Sequence, residues 1–311
     1  MKYARFGQRE VSRLVLGSNN FGGQLDEESS IRIIRKALDA GINSIDTADV
    51  YTRGMSERVV GKALKGDREG VIVATKVGNQ LAGWPEGADL SRKYIMHEVE
   101  QSLERLGTEY IDVYYMHRPD PVTPLEETLS AVDSLVREGK VRHVACSNFS
   151  VEQMERIAEL QRSRGYRAFE AVQPQYNVVQ SEAGRALLPY CAREGLAVFT
   201  YSPLMGGFLT GKYRAGAKPP EGSRGAYNPR FFQRVKSDSY YTAAERLAGI
   251  AREAGLSLPE LALAWVLRDG SVTAPIVGAS SPKHVEEACA VLDLNVPRSV
   301  FAEAEAAVSG L

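Results

Sequence analysis

Four side chains able to move or steer a proton stand at the ends of short apolar runs. Asp46 and Tyr51 follow Ile42–Ile45, Lys76 ends Val71–Thr75, and His117 ends Ile111–Met116. Brought together, a carboxylate, a phenol, an amine and an imidazole make an apparatus for proton transfer. A phenol titrates at about 10, and a neighbouring ammonium favours its ionised form. Taken singly, each residue has an ordinary explanation as a loop cap, a packing ring or a solvated strand end. In an α/β barrel, however, positions just beyond successive strands converge on the C-terminal rim, where such enzymes do their chemistry. Unrelated surface residues would not all fall there.

The elements that must position these groups alternate along the chain. Strand-like runs lie at Leu14–Leu16, Ile42–Ile45, Val71–Thr75, Ile111–Met116, Val141–Ala145, Phe169–Val172, Leu196–Thr200 and Thr273–Ile276. Helical patterns separate the early ones at Glu27–Ala40, Glu57–Leu64, Ser91–Leu106, Leu125–Arg137, Val151–Arg162 and Ala183–Arg193. Tyr241–Ala254, Leu258–Arg268 and a last helix at Pro282–Val291 complete the series. Gly41 stops the first helix, and Ser150 with Gln153 forms a capping box for another. Residues 202–239 make a long connection rich in Gly, Pro and Arg, a length usually tied to function. A doubly wound open sheet would carry Gly-x-Gly-x-x-Gly after its first strand, and Gly17-Ser18-Asn19-Asn20-Phe21-Gly22-Gly23 does not match it. The pattern reads as α/β: a single (β/α)8 TIM barrel over residues 1–311, with extended loops at the C-terminal rim.

Composition narrows the function. The 311 residues are 44% hydrophobic and 25% charged, enough to bury a full core. With 38 Lys and Arg against 39 Asp and Glu, the net charge of -1 offers no field for nucleic acid or an acidic membrane. No window approaches a membrane span, so no integral membrane segment is expected. Cys146, Cys191 and Cys289 lack the spacing of a structural zinc site, and a reducing cytoplasm suits them. No His and carboxylate cluster suggests a metal, and metal-independent activity is expected.

The residues also carry a family pattern. Ile45-Asp46-Thr47-Ala48-Asp49-Val50-Tyr51, Thr75-Lys76 and Met116-His117-Arg118-Pro119-Asp120 resemble the catalytic segments of the aldo-keto reductases, barrel enzymes that reduce carbonyls with a nicotinamide cofactor. The similarity continues through Gly139-Lys140-Val141-Arg142, Ser147-Asn148-Phe149, Gln173-Pro174-Gln175-Tyr176-Asn177, Tyr201-Ser202-Pro203-Leu204 and Gly278-Ala279-Ser280. It spans nearly the whole chain. Gly211-Lys212-Tyr213 and the Pro219-Pro220-Glu221-Gly222-Ser223-Arg224 loop resemble the bacterial-type and channel β-subunit-like branch.

The resemblance implies roles. Tyr51 would protonate the carbonyl oxygen, Lys76 would favour its ionisation, Asp46 would hold Lys76, and His117 would orient the substrate. Ser147, Asn148 and Gln173 would meet the nicotinamide carboxamide and Tyr201 its ring. Gly17, Ser18, Asn19 and Asp46 would also adjoin the cofactor. Ser202, Pro203, Leu204, Gly206, Gly207 and Leu209, with Lys212, would hold the pyrophosphate. Gly278, Ala279, Ser280, Lys283, His284 and Glu287 would meet the adenosine end. NADPH is the expected cofactor, with NADH possible: where relatives carry an arginine and an asparagine, this chain has His284 and Ala288, and a neutral imidazole grips an anion less well than a guanidinium. Asn20, Phe21, Tyr51, Trp84 and His117 are the expected substrate contacts, with Tyr227, Phe231 and Phe232 further out, around a small carbonyl compound. An alternative function is a cofactor-sensing regulatory subunit with slow reductase activity. An isomerase or lyase on a similar barrel fits the cofactor segments poorly.

Overall fold

The computed structural model of the chain describes residues 1–79 and 89–311. An antiparallel hairpin, Tyr3–Phe6 (β1) and Arg9–Ser12 (β2), precedes the alternation. Eight parallel strands then close a barrel: Val15–Gly17 (β3), Ser44–Asp46 (β4), Ile72–Val77 (β5), Ile111–Met116 (β6), Val141–Ser147 (β7), Ala171–Gln173 (β8), Ala197–Thr200 (β9) and Ala274–Gly278 (β10). β10 returns to pair with β3, so no edge is left open. Among the described residues no helix is long and apolar enough to cross a membrane.

Strand positions alternate between two layers. Inward residues, among them Val15, Ile72, Ala74, Val113, Tyr115, Phe199 and Ile276, fill the barrel together with Phe6 and Val11 of the hairpin. The interior is therefore packed and no pore remains, which leaves the rim as the place for a ligand. Outward residues meet the helices Glu27–Asp39 (α1), Met55–Ala63 (α2), Arg92–Leu106 (α3), Leu125–Arg137 (α4), Val151–Arg164 (α5) and Glu182–Glu194 (α6). Local chemistry sets their ends: Ser150 and Gln153 form the capping box on α5, and Gly107, Gly165 and Gly195 terminate helices in the left-handed conformation.

The structure moves some expected boundaries. Lys76 lies inside β5, because the ladder continues through Lys76–Tyr115 and Val77–Met116 pairs with β6. Asp46 is the last residue of β4, paired with Gly17 and Ala74. β7 runs on to Ser147, which pairs with Gln173. The long connection is not irregular throughout: it holds a 3-10 segment at Met205–Thr210 and short helices Arg224–Tyr227 (α7) and Pro229–Val235 (α8). Asp238–Glu253 (α9), Leu258–Leu267 (α10) and Pro282–Ala290 (α11) follow, and α11 is not the last helix. Arg298–Val308 (α12) comes after it, burying Phe301, Ala304 and Val308 at helical spacing.

Candidate active site

Neighbouring strand ends bring the four polar groups together. Asp46 projects from the end of β4, and Lys76, two residues further up the adjacent β5, reaches it: Nζ donates to Asp46 Oδ1 at 2.5 Å and to the Thr47 carbonyl at 2.8 Å. Tyr51 opens a 3-10 turn between β4 and α2, and its hydroxyl lies 3.4 Å from Lys76 Nζ. His117 follows β6 directly and sets its ring edge-on to Tyr51, with centroids 6.0 Å apart. Gln173 Nε2 donates to the second Asp46 oxygen at 2.8 Å, so both carboxylate oxygens are held.

Burial decides the electrostatics. Lys76 is fully buried. Desolvation pulls its ammonium down, but Asp46 and the Tyr51 hydroxyl outweigh it and leave the group above its ordinary value. For Tyr51 the balance is opposite to the expected one: burial raises the phenol more than Lys76 lowers it, so the ring stays protonated at neutral pH. Burial, then the charges of Lys76 and Arg118, hold the His117 imidazole down at about 3. The site thus presents a protonated phenol backed by a cation, beside a neutral imidazole whose buried Nδ1 has no hydrogen-bond partner among the described residues.

Asp46, Tyr51 and His117 border a cavity of about 1400 Å³ that runs over the rim, with Lys76 buried behind them. Gly17, Ser18, Asn19, Asn20, Ser147, Asn148 and Tyr201 line it near the four groups, and Ser202, Pro203, Leu204, Gly206, Gly207 and Lys212 continue it. Gly278, Ala279, Ser280, His284 and Glu287 also border it. Its backbone is unusual: Asn148, Ser202 and Met205 have φ of 65°, 60° and 50°, a conformation that costs a non-glycine residue about 1–3 kcal/mol. Gly207, at φ 98°, could not carry a side chain freely, since a Cβ would sit 3.0 Å from Lys212 Cε. A long groove with close backbone, Lys212 with no carboxylate partner among the described residues, and an unsatisfied histidine fit a dinucleotide.

Several of the expected residues lie off the cavity wall. Phe21 and Leu209 are fully buried in the core between barrel and helices, where apolar packing outweighs rim exposure, and they do not line the cavity. Phe232 likewise stacks on Phe208 in that core. Lys283 points to Glu287, 3.4 Å away, and leaves the cavity wall to Glu287 and His284. The Ser280 amide donates to His284 Nδ1 at 3.2 Å. Tyr201 gives its hydroxyl to Asn148 Oδ1 at 2.8 Å. Trp84 lies outside the described residues.

Other groups were not legible beforehand. Gln175, Gln180, Arg224 and Tyr240 also line the cavity. Burial pulls the Arg224 guanidinium below its ordinary value while the Tyr51 hydroxyl lifts it slightly. The basic residues of the 202–239 connection were the available signal. A buried hydroxyl chain, Ser18 to Ser56 at 2.7 Å and Ser56 to Thr47 at 2.9 Å, ties the β3 and β4 loops to α2.

Comparison with known proteins supplies the family. The model of the aldo/keto reductase family matches residues 13–309. Aldo-keto reductase YhdN of Bacillus subtilis is 37% identical over 284 residues, covering 89% of this chain and 84% of that protein. A putative voltage-gated potassium channel subunit beta of Schizosaccharomyces pombe is 36% identical over 276 residues, covering 84% and 78%. The solved structure of a glycerol dehydrogenase from Gluconobacter oxydans superposes with a TM-score of 0.84 at 31% identity, covering 99% of this chain and 95% of that one. A closed eight-stranded barrel and a family match from end to end lead to one conclusion: the chain belongs to the aldo/keto reductase family, oxidoreductases that act on carbonyl compounds.

Proposed function

We propose that the chain reduces a small aldehyde or ketone to the alcohol with NADPH, using Tyr51 as general acid. Members of the family work with a nicotinamide cofactor, which when bound supplies the hydride. The residues of this chain supply the rest. The neutral His117 ring orients the carbonyl oxygen beside the Tyr51 hydroxyl. As negative charge grows on that oxygen, Tyr51 donates its proton, and Lys76, 3.4 Å behind it, stabilises the phenolate left behind. Asp46 keeps Lys76 charged and in place. Lys212 and the glycines at 206 and 207 would hold the pyrophosphate, and His284 would meet the 2'-phosphate end with weaker selectivity than an arginine. The observation that carries this reading is the Asp46–Lys76–Tyr51 sequence of contacts, in which the buried Lys76 joins two residues that line the groove.

The test is Tyr51→Phe in single turnover, on an aldehyde whose alcohol product has been identified. Phe keeps the ring packing but has no proton to give, so the chemical step should slow by about 10²- to 10⁴-fold. NADPH binding and the circular dichroism spectrum should stay close to wild type. A folded variant with the wild-type chemical rate would overturn the assignment. The regulatory alternative draws on the potassium channel subunit relative; it predicts tight NADPH binding with very slow turnover of every carbonyl compound tried.

A further inference from the structure

Behind the catalytic groups, on the outer face of the barrel, lies a buried polar network whose members do not line the cavity. Strand alternation turns Thr75, the neighbour of Lys76, away from the barrel axis. Its hydroxyl donates to Glu57 Oε1 at 2.5 Å. Glu57 is fully buried in the first turn of α2, the helix that begins where the Tyr51 turn ends. Its other oxygen accepts from Arg105 Nε at 2.6 Å, and Arg105 also pairs with the buried Glu98 on α3. Arg105 packs on the turn itself: a Cβ on Gly54 would lie 2.8 Å from its Cδ.

The Tyr51 turn needs such an anchor. Thr52 and Arg53 sit at φ 48° and 58°, and no side chain caps either the turn or the start of α2. Asp49 holds one end by accepting the Val50 amide at 2.6 Å. Glu57 holds the other and, through Thr75, joins it to the strand that carries Lys76. Lys76 and Tyr51 are therefore linked twice: directly, Nζ to hydroxyl across 3.4 Å, and on the outer side through Thr75 and Glu57.

We propose that Thr75, Glu57 and Arg105 are positioning residues that set the separation of Lys76 and Tyr51. The inference rests on the proposed role of Tyr51, and its test separates the two. Thr75→Val removes the hydroxyl at nearly constant volume, and Thr75→Ser restores it. Small misplacements of reacting groups can cost up to about 10²-fold, so single-turnover reduction by Thr75→Val should slow by roughly tenfold or more, with the NADPH dissociation constant within about twofold of wild type. Thr75→Ser should recover most of the rate. In a Tyr51→Phe background, Thr75→Val should change the rate by less than about twofold, because the geometry it disturbs no longer matters. Equal slowing in both backgrounds, or a wild-type rate in Thr75→Val, overturns the positioning role. A wild-type rate in Tyr51→Phe overturns the reading of the site instead. If Thr75→Val does not fold, Glu57→Gln goes through the same cycle with the same deciding outcomes.

Discussion

Asp46→Asn tests the electrostatic core of the site. Asparagine keeps the volume and one carbonyl oxygen for Lys76 Nζ but removes the charge. In the native protein burial pulls Lys76 down, and Asp46 is the foremost influence opposing it. A buried lysine without a counter-ion can titrate as low as about 5–6, and breaking a buried pair by removing one partner costs about 3–5 kcal/mol. For a chain of this size that corresponds to a melting temperature lower by roughly 5–8 °C. The sign of the pH dependence follows. With Asp46 present, Lys76 titrates higher folded than unfolded, so its stabilising contribution is complete below about 10.4 and is lost only as pH rises through the folded value. In the Asp46→Asn variant the folded value falls below the unfolded one. The unfolded chain then holds the extra proton, and stability rises with pH up to about 10.4. Urea unfolding of both proteins from about pH 7 to pH 10 should therefore show the stability gap narrowing as pH increases. A gap that stays constant or widens would refute the argument that Asp46 keeps a buried ammonium charged.

Three further outcomes can be checked directly. Because the His117 imidazole is held at about 3, kcat/KM should show no His117 inflection near about 6.5, the ordinary histidine value; an inflection there that vanishes in His117→Asn would contradict the neutral ring. Fluorescence titration should give tighter binding for NADPH than for NADH, and Lys212→Met should weaken NADPH by about 10- to 100-fold, as loss of a charge-assisted contact does. Tighter NADH binding would reverse the cofactor preference, and an unchanged Lys212→Met would remove that lysine from the pyrophosphate site.

Much of the fold was readable because it follows from local chemistry. Alternating β-branched runs and amphipathic helices imply a barrel, and the capping box at Ser150 and the strand Ile111–Met116 stand where their residues put them. The types of the four polar groups, and their order along successive strands, are likewise properties of the chain alone. What needed the tertiary structure was every quantity that depends on neighbours distant in sequence. Lys76 belongs to β5 because Tyr115 and Met116 extend the ladder beside it. Phe21 and Leu209 look like rim residues in a motif yet are drawn into the core, where apolar packing is available. The phenol of Tyr51 is lifted by desolvation more than Lys76 lowers it, a balance that no residue list contains. The ties from Thr75 to Glu57 and from Glu57 to Arg105 span 18 and 48 residues of chain. Periodicity and propensity are written in adjacent residues, whereas desolvation and ion pairing depend on which distant groups the closed barrel brings into contact.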